Sequence, residues 1–580
     1  MNNLKLKILP QEWIKAYNVL RILSNVSNYT SLKILSLTIL VTSLEAVSLT
    51  LLMPLLELIN NKELVISEDN NSLTNKMIAV LNYISFPVSF TSLSILIAII
   101  VFFRQCFNFG LNRKLAKIKA DNNKVLRKKI FENTFLSSPN SIEALGTGSY
   151  IELMTNQTSI ASSYLVYLIK YISVLLLFAF YISIAFFMSP IITIIAISIA
   201  MFFLIFANII INKIKMISKK NVKDLKYFAK YLSECFSSWK IIKLSNSYSY
   251  ENNRNNIWVN QIAEQNFQVE FNLAKSHFII SILFMMLLIL ILNLGITISS
   301  IELSMLVMFS IMCLRLLPII LALVSIQTRI TVSAESLYRL LKVFTDLKNN
   351  KEVDKGKISM SIKKGIFLEN VSFKYPESSK YIFRNFSAVI PYRKFTSISG
   401  NSGAGKSTLL DLISRIYNKY DGKISLDNTS IKNFKLADYR NNISLLPQVP
   451  FIYDDTVLSN IRYGNENLKK DEIIKVSKLA NAHEFINKLS RGYNTILGER
   501  GSKLSGGQVQ RIVLARILAS KAKIIILDEP TSNLDYNSSN KIISALKKIK
   551  NTNEYTLIIV SHDKKIIELG DKIINISTLD

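Results

Sequence analysis

Long apolar stretches with few charges dominate the first half of the chain and then stop. Six of them, at 32–58, 84–110, 161–188, 191–212, 272–298 and 301–326, each approach the ~20 residues that a bilayer-spanning helix needs. The third and fourth are parted only by Met188-Ser189-Pro190, and the fifth and sixth by little more than Ser299-Ser300, so both turns are tight. Ahead of the first span, the segment Gln11 to Arg21 interleaves Trp13, Ile14, Tyr17 and Leu20 with Lys15 and Arg21. That is the pattern of an amphipathic helix lying on a membrane surface.

Around residue 345 the pattern changes. Short β-branched runs, Phe395–Ser399 and Ile524–Leu527 among them, alternate with helical segments. Such alternation predicts a mostly parallel sheet covered by helices. The polar stretch Asn349–Gly356 is a plausible linker, and no internal repeat is visible. The expected organisation is an all-α transmembrane domain of six helices over 1–344, followed by an α/β domain over 345–580.

Composition sharpens this division. A chain of 580 residues exceeds what one hydrophobic core supports. It is 49% hydrophobic yet carries a formal net charge of +29, and its mean hydropathy is positive, so apolarity and charge sit in different places. The basic residues gather in two long connections, about 111–160 and 213–271, with Arg113, Lys114 and Lys117 in one and Lys213, Lys215, Lys219, Lys220, Lys223 and Lys226 in the other. The positive-inside tendency puts both connections in the cytoplasm. Both chain termini then lie inside, and the larger external loop is 59–82. The basic excess flanks apolar spans instead of forming one compact module, which disfavours a nucleic-acid partner. Cys106, Cys235 and Cys313 form no CxxC pair and no metal-ligand spacing. No removed signal peptide is expected, because the N-terminus lacks a short apolar run with a small-residue cleavage site.

The chemistry sits in the second domain. Gly400-Asn401-Ser402-Gly403-Ala404-Gly405-Lys406-Ser407-Thr408 is a phosphate-binding loop. Its backbone N–H groups cradle nucleotide phosphates, Lys406 offsets their charge, and the Ser407 hydroxyl is offered to Mg²⁺. The apolar run Ile524–Leu527 ends in Asp528-Glu529. A carboxylate closing a buried strand suits the Mg²⁺ side of a phosphoryl-transfer site, and its neighbour suits a general base. A phosphate loop by itself indicates only some nucleotide triphosphatase.

Leu504-Ser505-Gly506-Gly507-Gln508 narrows that class. It resembles the signature of ATP-binding-cassette (ABC) proteins, and nearly the whole chain resembles ABC exporter half-transporters, with membrane domain and P-loop ATPase domain fused. The resemblance implies ATP and Mg²⁺ as ligands and a cytoplasmic membrane location. It implies that Tyr375 stacks on adenine, that Asp528 lies on the Mg²⁺ side, and that Glu529 polarises the attacking water. Gln448 is implied to contact Mg²⁺ and water, and His562 to hold the γ-phosphate. Ser505, Gly506 and Gly507, with the helix opening near Gln508, are implied to face the nucleotide of the opposite cassette, so two chains complete two sites. A homodimer is the favoured arrangement, with a heteromeric partner as the alternative. Thr495–Gly501, centred on Glu499, resembles the exporter loop that meets coupling segments, for which Pro139–Ser149 and Ser233–Lys243 are candidates.

The cargo is less constrained. Leu44-Glu45-Ala46, Leu52-Met53-Pro54 and Cys313-Leu314-Arg315-Leu316-Leu317-Pro318 resemble segments of lipid-linked oligosaccharide flippases, and Arg104 also fits that group. Charges inside membrane helices are costly and face a cavity or a partner. Arg104, Lys275 and Arg315 could therefore attract a pyrophosphate head group. On the other reading Arg104 snorkels or lies on a cytoplasmic helix extension, and Arg315 pairs with Glu45. The stretch Lys275-Ser276-His277 departs from the flippase pattern, where Arg and a nearby Glu are expected. An exporter of peptides or hydrophobic drugs remains the alternative. Cassette ATPases without transport function lack six spans.

Overall fold

The computed structural model describes residues 28–580, apart from 53, 56–57, 59–72, 84, 189, 298–302, 376–377 and 577–580. The expected surface helix at 11–21, most of the loop 59–82 and the turn at Ser299-Ser300 lie outside the described residues. The chain divides into two compact units, Met1–Lys351 and Glu352–Asp580.

The first unit is helical: α1 (Asn28–Thr50), α2 (Leu73–Tyr83), α3 (Phe90–Phe135), α4 (Pro139–Leu145), α5 (Thr147–Glu152), a π-turn (Leu153–Gln157), α6 (Thr158–Ser162), α7 (Tyr164–Met188), α8 (Pro190–Ser237), α9 (Trp239–Leu244), α10 (Tyr248–Thr297) and α11 (Leu303–Asn349). Among the described residues, four stretches are long and apolar enough to cross a membrane, at Phe90–Phe135, Thr147–Phe186, Tyr248–Leu290 and Leu314–Asn349, and Ser36–Ser48 is a shorter apolar helix. The predicted span at 191–212 falls inside α8.

The helices are longer than the apolar pattern suggests. The span expected to end at 110 continues as α3 to Phe135, because the Lys, Leu, Ala and Arg that follow are all good helix formers. At its other end, α3 starts at Phe90, where Ser89 and Ser92 form a reciprocal capping box. In the same way α8 and α10 carry the 213–271 connection as helix, interrupted only by the short α9. α11 continues to Asn349, beyond the expected boundary near 345. α1 packs on α3, α7 on α11, and α8 on α10 and α11. A core of Tyr181, Ile184, Ile211, Ile280, Phe284, Ile319 and Ile320 joins α7, α8, α10 and α11.

The second unit holds two sheets. One is a parallel sheet in the order β6-β7-β8-β3-β9, built from β3 (Phe395–Gly400), β6 (Ile443–Leu446), β7 (Ile524–Asp528), β8 (Thr556–Val560) and β9 (Lys572–Ile576). The other is antiparallel, in the order β2-β1-β4-β5, built from β1 (Gly365–Phe373), β2 (Phe383–Pro391), β4 (Asp421–Leu426) and β5 (Thr429–Ser430). Neighbouring strand residues point to opposite faces, and β7 is apolar on both. Ile524 and Ile526 enter one core while Ile525 and Leu527 enter the other. That is why a continuous apolar run is needed here. Helices α12 (Lys406–Ile413), α13 (Val457–Arg462), α14 (Lys470–Leu479), α15 (Gly506–Ala519) and α16 (Tyr536–Asn551) complete the frame for the site.

Candidate active site

Strand register gathers the site at the carboxyl ends of the parallel strands. Ile398 lies opposite Val560, Val560 opposite Asp528, and Leu527 opposite Leu446. The segments leaving these strands therefore emerge together: the phosphate loop after β3, Gln448 after β6, Glu529 after β7 and His562 after β8. The crevice outside the carboxyl ends of parallel strands is where such sheets bind ligands.

The phosphate loop turns into α12 at Gly405, whose φ of +89° lies in the left-handed region. A Cβ there would sit 2.4 Å from Ile382 Cγ2, so both conformation and space require glycine. Lys406 is buried and donates from Nζ to the carbonyls of Gly400 and Asn401, both at 2.9 Å. Ser407 donates from Oγ to Asp528 Oδ2 at 2.8 Å. Burial pushes the Asp528 carboxyl above its ordinary value; the Ser407 hydrogen bond lowers it, the neighbouring Glu529 raises it and Lys406 lowers it.

Glu529 has a left-handed backbone, with φ +48°. Its N–H donates to Val560 O at 2.9 Å and its carbonyl accepts from Ser532 Oγ at 2.9 Å, which holds that conformation. The carboxylate accepts from Gln448 Nε2 at 2.9 Å and lies 3.6 Å from His562 Nε2. Gln448, Glu529 and His562 are thus brought together from three separate loops. Tyr375 packs edge-on against Phe373 and Tyr417, with centroids 5.3 and 5.4 Å away, and its hydroxyl lies 2.9 Å from Thr408 Oγ1. Neither Tyr417 nor the Ser532 brace carries a local signal in the sequence.

Ser505 caps α15. Its hydroxyl accepts from Gln508 N, and Gln508 returns its side-chain oxygen to Ser505 N at 3.0 Å. Gly507 packs against Ser538 of α16, where a Cβ would come within 2.6 Å of that side chain. Among the described residues no hydrogen bond or ion pair joins Ser505–Gln508 to this chain's own phosphate loop. Glu499 is exposed and opens a 3₁₀ turn, Glu499–Gly501, whose last residue is buried. Pro139–Ser149 covers α4 and the start of α5; Ser233–Lys243 covers the end of α8 and most of α9.

Oxygen donors suit Mg²⁺, which keeps one or two protein ligands and takes the rest from phosphates and water. Ser407 and Asp528 fit that role. The described residues hold no cluster of three or more His, Cys, Asp or Glu that could bind a metal unaided.

In the helical unit the candidate cavity residues separate. Arg104 on α3 pairs with Glu45 on α1, Nη2 to Oε1 at 3.1 Å. This corrects the pairing of Arg315 with Glu45: the packing of α1 on α3 brings Arg104 to that carboxylate. Arg315 is exposed on α11, with no hydrogen bond or ion pair among the described residues. Lys275 is exposed on α10, two residues before His277, whose Nε2 lies 2.9 Å from Ser325 Oγ.

Residues 32–320 match the ABC transporter transmembrane region and residues 383–532 match the ABC transporter family. The ATP-dependent lipid A-core flippase of Aliivibrio fischeri is 40% identical over 227 residues, 39% of this chain and 39% of the flippase. The flippase of Coxiella burnetii is 39% identical over 241 residues, and ABC transporter B family member 13 of Arabidopsis thaliana is 37% identical over 243 residues, 19% of the latter's length. The matches therefore span well under half of these relatives. The fold matches the structure of a bacterial Atm1-family ABC exporter with ATP bound, with a TM-score of 0.78 at 20% identity, covering 96% of this chain and 95% of that one. The chain belongs to the ABC transporters, with an exporter-fold transmembrane region and an ATP-binding cassette in one polypeptide.

Proposed function

We propose that this protein is an ATP-driven exporter or flippase that works as a pair of identical chains in a cytoplasmic membrane. The convergence of Gln448, Glu529 and His562 beside the phosphate loop carries the ATPase reading. Glu529, oriented by Gln448 and by its fixed backbone, takes the proton of the attacking water. His562 steadies the γ-phosphate, and Lys406 gives up its loop carbonyls to meet phosphate oxygens. Bound Mg²⁺ supplies charge neutralisation on the phosphates, held from the Ser407 and Asp528 side. The N-terminus of α15, capped by Ser505, is the positive end of its helix dipole, which suits the nucleotide of a second cassette. ATP-driven closure of two cassettes switches the membrane region between inward and outward access.

The proposed cargo is a lipid-linked oligosaccharide or another amphipathic lipid with an anionic head group. Arg104 and Arg315 support it, as two cations on apolar helices, the first paired with Glu45 and the second exposed. The lipid A-core flippases among the relatives favour the same class. The test is ATPase activity in liposomes supplied with polyprenyl-pyrophosphate glycans or with amphipathic peptides, using Glu529→Gln as the blank. Stimulation by the glycan lipid that is lost in Arg315→Ala supports the lipid reading. Stimulation by peptides alone replaces it with peptide export.

A further inference from the structure

The π-turn Leu153–Gln157 interrupts the helical run that leads into α7. π-turns are rare and recur where a helix must change register. This one is held from every side. Glu152, just before it, pairs with Arg339 of α11, Oε2 to Nη1 at 2.6 Å, with side-chain exposures of only 8% and 14%. Gln157, at its end and fully buried, donates to Glu152 Oε1 at 2.6 Å. Residues five apart lie about 140° apart around an α-helix. They come onto one face in a π-turn, whose repeat is i to i+5. The Gln157–Glu152 hydrogen bond thus selects the π form.

Two further contacts tie the turn to other helices. Arg339 also donates from Nη1 to Val222 O of α8 at 3.2 Å. Arg127 of α3 donates from Nη2 to Thr155 O, inside the turn, at 3.2 Å, and from Nε to Thr158 Oγ1 at 3.3 Å. Nearby, Gly148 of α5 lies so close to α8 that a Cβ would fall 2.4 Å from Ala229 O. One short segment is therefore fastened to α3, α8 and α11 through two arginines and a buried carboxylate.

We propose that Leu153–Gln157 is a register switch, with Glu152 and Arg339 as its latch. In the latched form the π-turn holds α5 against α8 and α11. Release of Glu152 from Arg339 and Gln157 lets the turn relax to α-helix, which advances the chain by one residue and rotates α5 relative to α7 by about 100°. Glu152 and Arg339 are positioning residues for coupling nucleotide state to the spans. This inference rests on the transporter reading above.

The test is hydrogen–deuterium exchange of segment 147–162 in the full-length reconstituted protein, with and without ATP trapped by Glu529→Gln. With the latch intact, ATP should change exchange in this segment. Adding Glu152→Gln should raise exchange at least tenfold without nucleotide and abolish the ATP dependence. Arg339→Lys, which keeps the charge, should fall between. Faster exchange with the ATP dependence retained means a merely structural ion pair and overturns the switch. No ATP-dependent change in the parent also overturns it, while phosphate release by the unmutated protein reports separately on the ATPase reading.

Discussion

Gln448 donates to Glu529 at 2.9 Å, joining the loop after β6 to the carboxylate after β7. The contact orients the proposed base, so the two residues should differ in what they lose. Glu529→Gln should cut turnover by about 10²- to 10⁴-fold while ATP binding persists. Gln448→Ala removes a hydrogen bond to a charged group, and about tenfold is expected. Phosphate release at saturating ATP measures both; normal turnover in Glu529→Gln would falsify the assignment of the base.

Acid should weaken Mg²⁺-dependent nucleotide binding through Asp528. Burial raises this carboxyl, so it takes up a proton at higher pH than an ordinary aspartate, and the protonated form cannot support the cation. Glu529 adds to the rise, so Glu529→Gln should move the acid limb of binding to lower pH. Binding of a non-hydrolysable ATP analogue against pH, in both proteins, reads the shift. An unmoved or upward-moving limb would separate Asp528 from Mg²⁺ binding.

Tyr375 offers a ring and a hydroxyl, and the ring should matter more. Tyr375→Leu should cost about 1–3 kcal/mol of nucleotide binding, the usual worth of stacking a base on an aromatic ring. Tyr375→Phe keeps the ring and loses only the Thr408 contact, so about 1 kcal/mol is the expected ceiling. Equal losses in the two variants would assign the role to the hydroxyl.

Two glycines of the helical unit should respond oppositely to an added methyl group. At Gly148 a Cβ meets Ala229 O at 2.4 Å, and Gly148→Ala should destabilise the protein by about 1–3 kcal/mol. At Gly110, inside α3, nothing lies within 4 Å, and Gly110→Ala should stabilise it by about 0.5–1 kcal/mol. Thermal unfolding in detergent compares them; a loss at Gly110 as large as at Gly148 would refute the packing argument.

What the sequence made legible was local. The phosphate loop, the Asp528-Glu529 pair and the signature are runs of adjacent residues, and β7 advertises itself by being apolar on both faces. The antiparallel sheet was not foreseen, because β1 and β4 mix Glu369, Asn370 and Lys423 into half-exposed strands. The extra length of α3 and α8 was hidden for another reason: apolarity marks where a membrane would end, whereas helix persists wherever no breaker stops it. The partner of Glu45 depended on how α1 and α3 turn about their axes, and helices apolar all round carry no periodic signal for that. The π-turn left no trace that residue spacing could reveal.

The long helices have a mechanical consequence. α3, α8, α10 and α11 run for 46, 48, 50 and 47 residues, which is about 70 Å each, roughly twice the thickness of a bilayer core. Each is a lever arm, with its polar end projecting about 35 Å beyond the apolar part. A tilt of only about 5° at the apolar end sweeps the far tip through about 3 Å, the distance over which a hydrogen bond is made or lost. Small movements among packed spans can thus become decisive ones where the helices end.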